Sequence, residues 1–294
     1  MYSTLISAPE LQALLAARQP CRVFDCSFDL MQPGTGDQQY QQAHLAGALR
    51  ADLDRHLSAA KGATDAASGG RHPLPSREAF AAWLGSTGLE PGMQAVVYDR
   101  QGANYCGRLW WMLRWLGHEH VAVLDGGLQA WQALGGAVES TPQAPTPAPV
   151  QPLDLSSKYP VSPALAGLVT TQNIADQLGH PGLCILDARA APRFRGEVEP
   201  LDPVAGHIPG ALNRPFGLNL GADGKFKPAA VLRQEFEQLL GGRDPSTVVH
   251  HCGSGVSAVP NVMAMAIAGL GRTGLYAGSW SEWCSDPGRP VAQG

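Results

Sequence analysis

The sequence predicts an α/β protein made of two tandem domains, each a short parallel sheet with helices on both faces. Three observations carry this expectation. Apolar runs of only four or five residues alternate with helical stretches, the pattern of parallel strands covered on both sides. The same order of signals then occurs twice along the chain, as an internal duplication leaves it. Between the copies, residues 141–160 hold Pro142, Pro145, Pro147, Pro149, Pro152 and Pro160, a density that excludes a regular helix or a central strand. A length of 294 residues suits two domains, expected at 1–140 and 161–294 around a linker at 141–160.

In the first half, the apolar run at 22–25 ends in Asp25, and the segment His44, Leu45, Ala46, Gly47, Ala48 follows about twenty residues later. A strand at 95–98, a turn, a helix from about 105 to 116 and a strand at 121–124 lead to Asp125, Gly126, Gly127 and Trp131. The second half repeats the order. A strand at 184–187 ends in Asp187, and His207, Ile208, Pro209, Gly210, Ala211 follow at nearly the same spacing. A strand at 247–250, a turn, a helix to about 270 and a strand near Leu275 and Tyr276 lead to Gly278, Ser279 and Trp283. Ligands in such sheets sit beyond the carboxyl ends of strands, which directs attention to residues 99–105 and 251–257.

With 44% hydrophobic and 16% charged residues, the composition excludes a disordered chain. A net charge of -4 without basic runs gives no support to a nucleic-acid or anionic-membrane partner. No apolar stretch is long enough to span a bilayer, and the first residues lack the charged and apolar regions of a signal peptide, so a cytoplasmic location is expected. Six cysteines without a CxxC pair imply free thiols rather than a disulfide scaffold or a structural zinc site. His118, Glu119 and His120 lack the spacing of a helical metal motif, and no metal is expected. Gly269 to Gly274 spells GxGxxG but follows a helix and leads into a strand, the reverse of the dinucleotide-binding order.

After the strand at 247–250 the chain reads His251, Cys252, Gly253, Ser254, Gly255, Val256, Ser257 and enters a helix. Two glycines let the backbone curl so that successive N–H groups point inward, and the helix adds its positive end. Both effects favour thiolate over thiol and make Cys252 the candidate nucleophile. A lone cysteine in a turn is ordinarily a small packing residue. The strand, the glycines, the hydroxyls of Ser254 and Ser257 and the following helix together reverse those odds. Cys21, Cys26, Cys106, Cys184 and Cys284 read as packing residues. In the first half the position of Cys252 reads as Arg100, so that domain is expected to act as a scaffold or a wall of the cleft.

On these residues the chain resembles the two-domain sulfurtransferases, the rhodanese and 3-mercaptopyruvate sulfurtransferase family. The resemblance rests on the duplicated halves, the Asp187, His207, Pro209, Gly210 segment, the Cys252 loop and the Gly278, Ser279, Trp280 segment. It implies two rhodanese-like domains with the active cysteine in the second, the active site between them and no cofactor. Within the family, thiosulfate-specific members carry Arg and Lys directly after the cysteine, whereas mercaptopyruvate enzymes carry Gly, Ser, Gly, Val. This chain has Gly253, Ser254, Gly255, Val256, Ser257, which implies 3-mercaptopyruvate as donor, with thiosulfate as the alternative. A compact dianion gains from two adjacent cations, whereas mercaptopyruvate offers one carboxylate and a carbonyl.

The resemblance further implies Arg193 at the donor's anionic end and a relay of Ser254, His72 and Asp54 that delivers a proton to the carbon losing sulfur. A second carboxylate-binding arginine is not found in the segment after Arg193, leaving Arg195 or Arg189 as its substitute; Arg189 reads equally as an ion-pair partner of Asp187. The implied acceptor is a thiol or cyanide, a thioredoxin-like protein among the candidates. Two rivals remain. A cysteine phosphatase needs an Arg at the place held by Ala258, without which phosphate lacks its bidentate clamp. A non-enzymatic sulfur carrier would hold sulfur without turnover.

Overall fold

The computed structural model describes residues 1–141 and 158–294, so most of the proline-rich stretch at 141–160 lies outside the described residues. The chain divides into two compact units, one of Met1–Leu57 and Ser76–Leu165, the other of Ser58–Pro75 and Ala166–Gly294. The segment Ser58–Pro75, although early in sequence, is thus part of the second unit.

The first unit runs β1 (Leu5–Ile6), α1 (Ala8–Ala16), β2 (Cys21–Asp25), α2 (Thr35–Gln42), β3 (His44–Leu45), β4 (Leu49–Arg50), α3 (Arg77–Ser86), β5 (Gln94–Tyr98), α4 (Cys106–Leu116), β6 (Val121–Leu124), α5 (Gly127–Ala133) and β7 (Val138–Glu139). Its sheet has the order β1-β6-β5-β2-β4 and is parallel throughout; β3 and β7 form a separate antiparallel pair. Every residue of β5 and β6 is buried, which is why both read as unbroken apolar runs rather than alternating ones. Trp110, Trp111 and Trp115 of α4 are buried, so this aromatic run at helical spacing is core.

The second unit runs β8 (Gly167–Val169), α6 (Thr171–Gln177), β9 (Cys184–Asp187), α7 (Ala191–Phe194), β10 (Leu212–Asn213), α8 (Ala229–Leu240), β11 (Val248–His251), α9 (Val259–Ile267), β12 (Gly274–Tyr276) and α10 (Ser279–Trp283). Its sheet, β8-β12-β11-β9-β10, is again parallel and repeats the first unit strand for strand. Each unit therefore places its second and middle long strands side by side, with an acid, Asp25 or Asp187, at the end of the former. Among the described residues no helix is long and apolar enough to cross a membrane.

Two boundaries differ from the sequence reading. The strand expected at 247–250 extends to His251, because His251 still pairs with Asp187 in the β9–β11 ladder. The helix expected to reach 270 stops at Ile267: Gly269 turns left-handed at φ 68°, a conformation that ends helices and suits glycine.

Burial governs how the fold responds to acid. It pushes the imidazole of His250 down to about 3 and those of His56 and His118 down to about 4, from an ordinary 6.5. Unfolding frees each to bind a proton below pH 6.5, so their contribution is complete above that pH and is lost as pH falls toward 4. Each histidine costs about 1.4 kcal/mol per pH unit across that window. Asp202, whose carboxyl burial pushes up, acts in the opposite direction, one group against three. Thermal unfolding followed from pH 8 to pH 4 is expected to show a Tm that falls steeply below pH 6.5; a flat profile would contradict it.

Candidate active site

Cys252 is the first residue after β11 and is buried. Its N–H donates to Ser279 Oγ at 3.1 Å, and its carbonyl accepts from the Trp280 N–H at 3.0 Å. Ser279 in turn donates to the Tyr276 carbonyl at 3.0 Å and has a left-handed backbone at φ 56°. A strained residue held by two hydrogen bonds marks a place where geometry is fixed for a purpose. Sequence reasoning gave Ser279 no part in the site.

The loop glycines serve different ends. Gly255 has φ 75°, and a Cβ there would run into the Ala277 carbonyl, so it makes the turn that the sequence assigned to both glycines. Gly253 has no left-handed backbone. A Cβ on it would lie 2.9 Å from Arg71 Nη2 and 3.5 Å from Arg193 Nη1; glycine at 253 keeps room for two guanidiniums. Gly255→Ala is therefore expected to destabilise the second unit by about 2–4 kcal/mol, measured as a fall in Tm; an unchanged Tm would mean that the loop tolerates the clash.

The two sheets, compared in register, identify this loop's counterpart in the first unit. In the ladder registers Tyr98 pairs with Asp25 as His251 pairs with Asp187, so the residue in the place of Cys252 is Asp99. The expectation that Arg100 stands there is corrected by one position, because His251 belongs to the strand. The Asp99 carboxylate accepts N–H groups from Gln101 (2.9 Å), Ala103 (3.1 Å), Tyr105 (2.8 Å) and Cys106 (2.9 Å), a backbone nest filled by the chain's own anion. In the second unit, the N–H groups of Ser254, Val256 and Ala258 have no backbone acceptor among the described residues, and the residue at the register position of Asp99 is Cys252. Arg100 is tied to Asp25 at 3.2 Å, to Ser27 Oγ and to the carbonyls of Gln39 and Ala43.

His72 and Ser254 meet within the second unit, His72 Nδ1 lying 2.8 Å from Ser254 Oγ, with both residues buried. The segment that carries His72 is anchored there by the Gly69 N–H on Glu282 at 3.1 Å and the Arg71 N–H on Ser281 Oγ at 2.9 Å. Asp54 belongs to the first unit, where its N–H donates to Asp52 Oδ1 at 3.1 Å. Val256 is buried and Ser257 half-buried in the turn that enters α9.

The arginines separate by their partners. Arg189 is buried against Asp187 (2.7 Å), Glu199 (3.3 Å) and the Gly206 carbonyl (2.7 Å), with its guanidinium over Trp280; it is an ion-pair residue of the core. Burial works against the ionised Asp187, but His251 and Arg189 hold its carboxyl below the usual range. Arg195 is exposed and paired with Glu197 at 2.6 Å. Arg193 is held by Glu199 at 2.6 Å and by Asp202 at 3.3 Å, and it reaches Gly253. Arg71, which reaches the same glycine from residue 71, was not singled out in the sequence.

The rhodanese-like domain model matches the chain at residues 7–134 and 170–286. The chain is 46% identical over 293 residues to the "Probable 3-mercaptopyruvate sulfurtransferase" of Pseudomonas aeruginosa, covering 99% of this chain and 98% of that one. It is 40% identical to the "Putative thiosulfate sulfurtransferase SseB" of Mycobacterium tuberculosis, covering 99% and 97% respectively. Among solved structures, 3-mercaptopyruvate sulfurtransferase from Leishmania major is similar at a TM-score of 0.78 and 32% identity, over 96% of this chain and 74% of that one. With both units matched and the topology repeated, the chain belongs to the rhodanese-like family and carries two domains of it.

Proposed function

We propose that the chain is a sulfurtransferase that moves a sulfane sulfur from 3-mercaptopyruvate to a thiol or cyanide through a persulfide on Cys252. The observation that carries this reading is the loop after β11: its counterpart in the first unit closes on the Asp99 carboxylate, and here the same register position holds the Cys252 thiol. Anionic sulfur suits N–H groups that a carboxylate suits. The Cys252 thiolate attacks the donor's sulfur, the S–S bond forms as the donor's C–S bond breaks, and the electron pair departs on carbon as pyruvate enolate. Ser254, backed by His72 at 2.8 Å, delivers the proton that turns enolate into pyruvate, with Asp54 as the acid assigned to His72. A thiol, that of a thioredoxin-like protein included, or cyanide then takes the outer sulfur and returns Cys252 to thiolate, giving ping-pong kinetics. Residues 161–294 supply Cys252 and Ser254 in our reading, while residues 1–140 supply His72 and Asp54 and otherwise serve as the scaffold.

The loop supports mercaptopyruvate over thiosulfate because residues 253–257 contain no cation. The thiosulfate-named relative keeps the second donor in play. Steady-state turnover with each donor, using cyanide as acceptor, tests the reading: 3-mercaptopyruvate is expected to give the larger kcat/KM, with pyruvate and thiocyanate formed mole for mole. Absence of turnover with both donors would overturn it.

A further inference from the structure

We propose that Glu282 is a positioning residue for proton delivery: its carboxylate holds residues 69–72 through the Gly69 N–H and so keeps His72 against Ser254. The assignment deepens the sulfurtransferase reading and rests on it for the reaction that the proton serves. Its basis is the way α10 joins two other stretches of the second unit. Toward the cysteine loop, Ser279 Oγ accepts the Cys252 N–H (3.1 Å), and the N–H groups of Trp280 and Ser281 donate to the carbonyls of Cys252 (3.0 Å) and Gly253 (2.9 Å). Toward the segment that carries His72, Ser281 Oγ accepts the Arg71 N–H (2.9 Å) and Glu282 Oε2 accepts the Gly69 N–H (3.1 Å). One turn of helix thus holds the backbone beside the nucleophile and the backbone beside the histidine in a common frame. The 2.8 Å contact of His72 Nδ1 with Ser254 Oγ closes that frame.

Three glycines make room for this approach. The Glu282 carboxylate occupies the place that a Cβ on Gly278 would take, and a Cβ on Gly69 would lie 3.1 Å from Glu282 Cδ. The carboxylate is therefore folded between two residues that have no side chain. Gly70 is left-handed at φ 86°, and a Cβ there would lie 2.8 Å from Ser281 Oγ. No helix or strand runs between β4 and α3, so bonds from side chains to the backbone must do for His72 what regular structure does elsewhere. A carboxylate on a backbone N–H is the strong, charge-assisted kind of such bond. The Glu282 side chain has no part in the bonds to Cys252 and Gly253, so its loss separates proton delivery from sulfur capture.

The test is a double-mutant cycle between Glu282→Ala and His72→Gln, read with both donors. With 3-mercaptopyruvate, kcat is expected to fall about tenfold in Glu282→Ala, with a smaller change in KM. Glu282→Gln keeps an acceptor oxygen and should recover most of the loss. Gly278→Ala sets a methyl where the carboxylate lies and should reproduce the loss with Glu282 still in the chain. Added to His72→Gln, Glu282→Ala should cost no more than about twofold, because residues that act through one another are not additive. Thiosulfate turnover, which needs no proton on carbon, should fall less. In folded variants, an equal loss on both donors, or the full tenfold loss on top of His72→Gln, would overturn the assignment. Carbethoxylation of His72 by diethyl pyrocarbonate, mapped by mass spectrometry, reads its position without turnover and should quicken about tenfold in Glu282→Ala. Unchanged His72 reactivity in Glu282→Ala, where the wild type turns over 3-mercaptopyruvate, would remove the positioning role alone. Quickened reactivity in a chain that transfers no sulfur would uphold that role while removing the sulfurtransferase reading.

Discussion

Cys252→Ser is expected to lower sulfur transfer by about 10⁴-fold or more with either donor, the scale seen when a covalent nucleophile is removed. A hydroxyl in the same place fits the same space but is not anionic near neutral pH and cannot hold a sulfane sulfur. The other thiols are poor substitutes. Burial pushes Cys21 up to about 11 and raises Cys26, Cys106, Cys184 and Cys284 as well. The backbone of residue 252 is held through its N–H and carbonyl by Ser279 and Trp280, contacts that serine keeps, so Tm should be unchanged. Turnover assays with both donors, alongside a melting curve, check the prediction; residual activity above a few per cent in a folded variant would contradict it.

Ser254→Ala and His72→Gln are each expected to reduce kcat with 3-mercaptopyruvate by about 10²- to 10³-fold, the range of a general acid. The chemistry of the leaving group sets this size. Mercaptopyruvate departs as a carbanion equivalent that needs a proton on carbon, whereas thiosulfate departs as sulfite, which needs none. The same variants should therefore leave thiosulfate turnover within about fivefold of wild type, the factor a positioned proton donor cannot explain. Stopped-flow formation of pyruvate against sulfite reads the difference. Equal loss on both donors would assign His72 and Ser254 to the shape of the loop, since their 2.8 Å contact also ties Ser58–Pro75 to the second unit.

Much of this was legible in the sequence, for physical reasons that particular elements show. The central strands β5, β9 and β11 are buried throughout, as is the last part of β2, so their apolar runs stand out, and the duplication follows from their order. The edge strands β1, β4, β8 and β10 have only two or three residues, too few for any periodicity to register. The counterpart of Cys252 differs by one position because the strand read from the sequence ends at His250, whereas His251 also pairs in the sheet and is buried there. Cys252 was legible from its local pattern. Arg71 was not: its partners Asp202 and Gly253 lie more than a hundred residues away, and no local spacing announces a contact of that kind. The nearest cue is that it precedes His72, the residue the family resemblance brought to the same loop.

The central claim is that the sulfur in transit rides on Cys252. Mixing the chain with 3-mercaptopyruvate in the absence of an acceptor, blocking thiols and persulfides by alkylation, and mapping the peptides by mass spectrometry tests it directly. The account predicts one additional sulfur atom on the peptide that contains Cys252, formed together with pyruvate and lost on adding cyanide. An additional sulfur on any of the other five cysteine peptides, or pyruvate released with none retained, would contradict it.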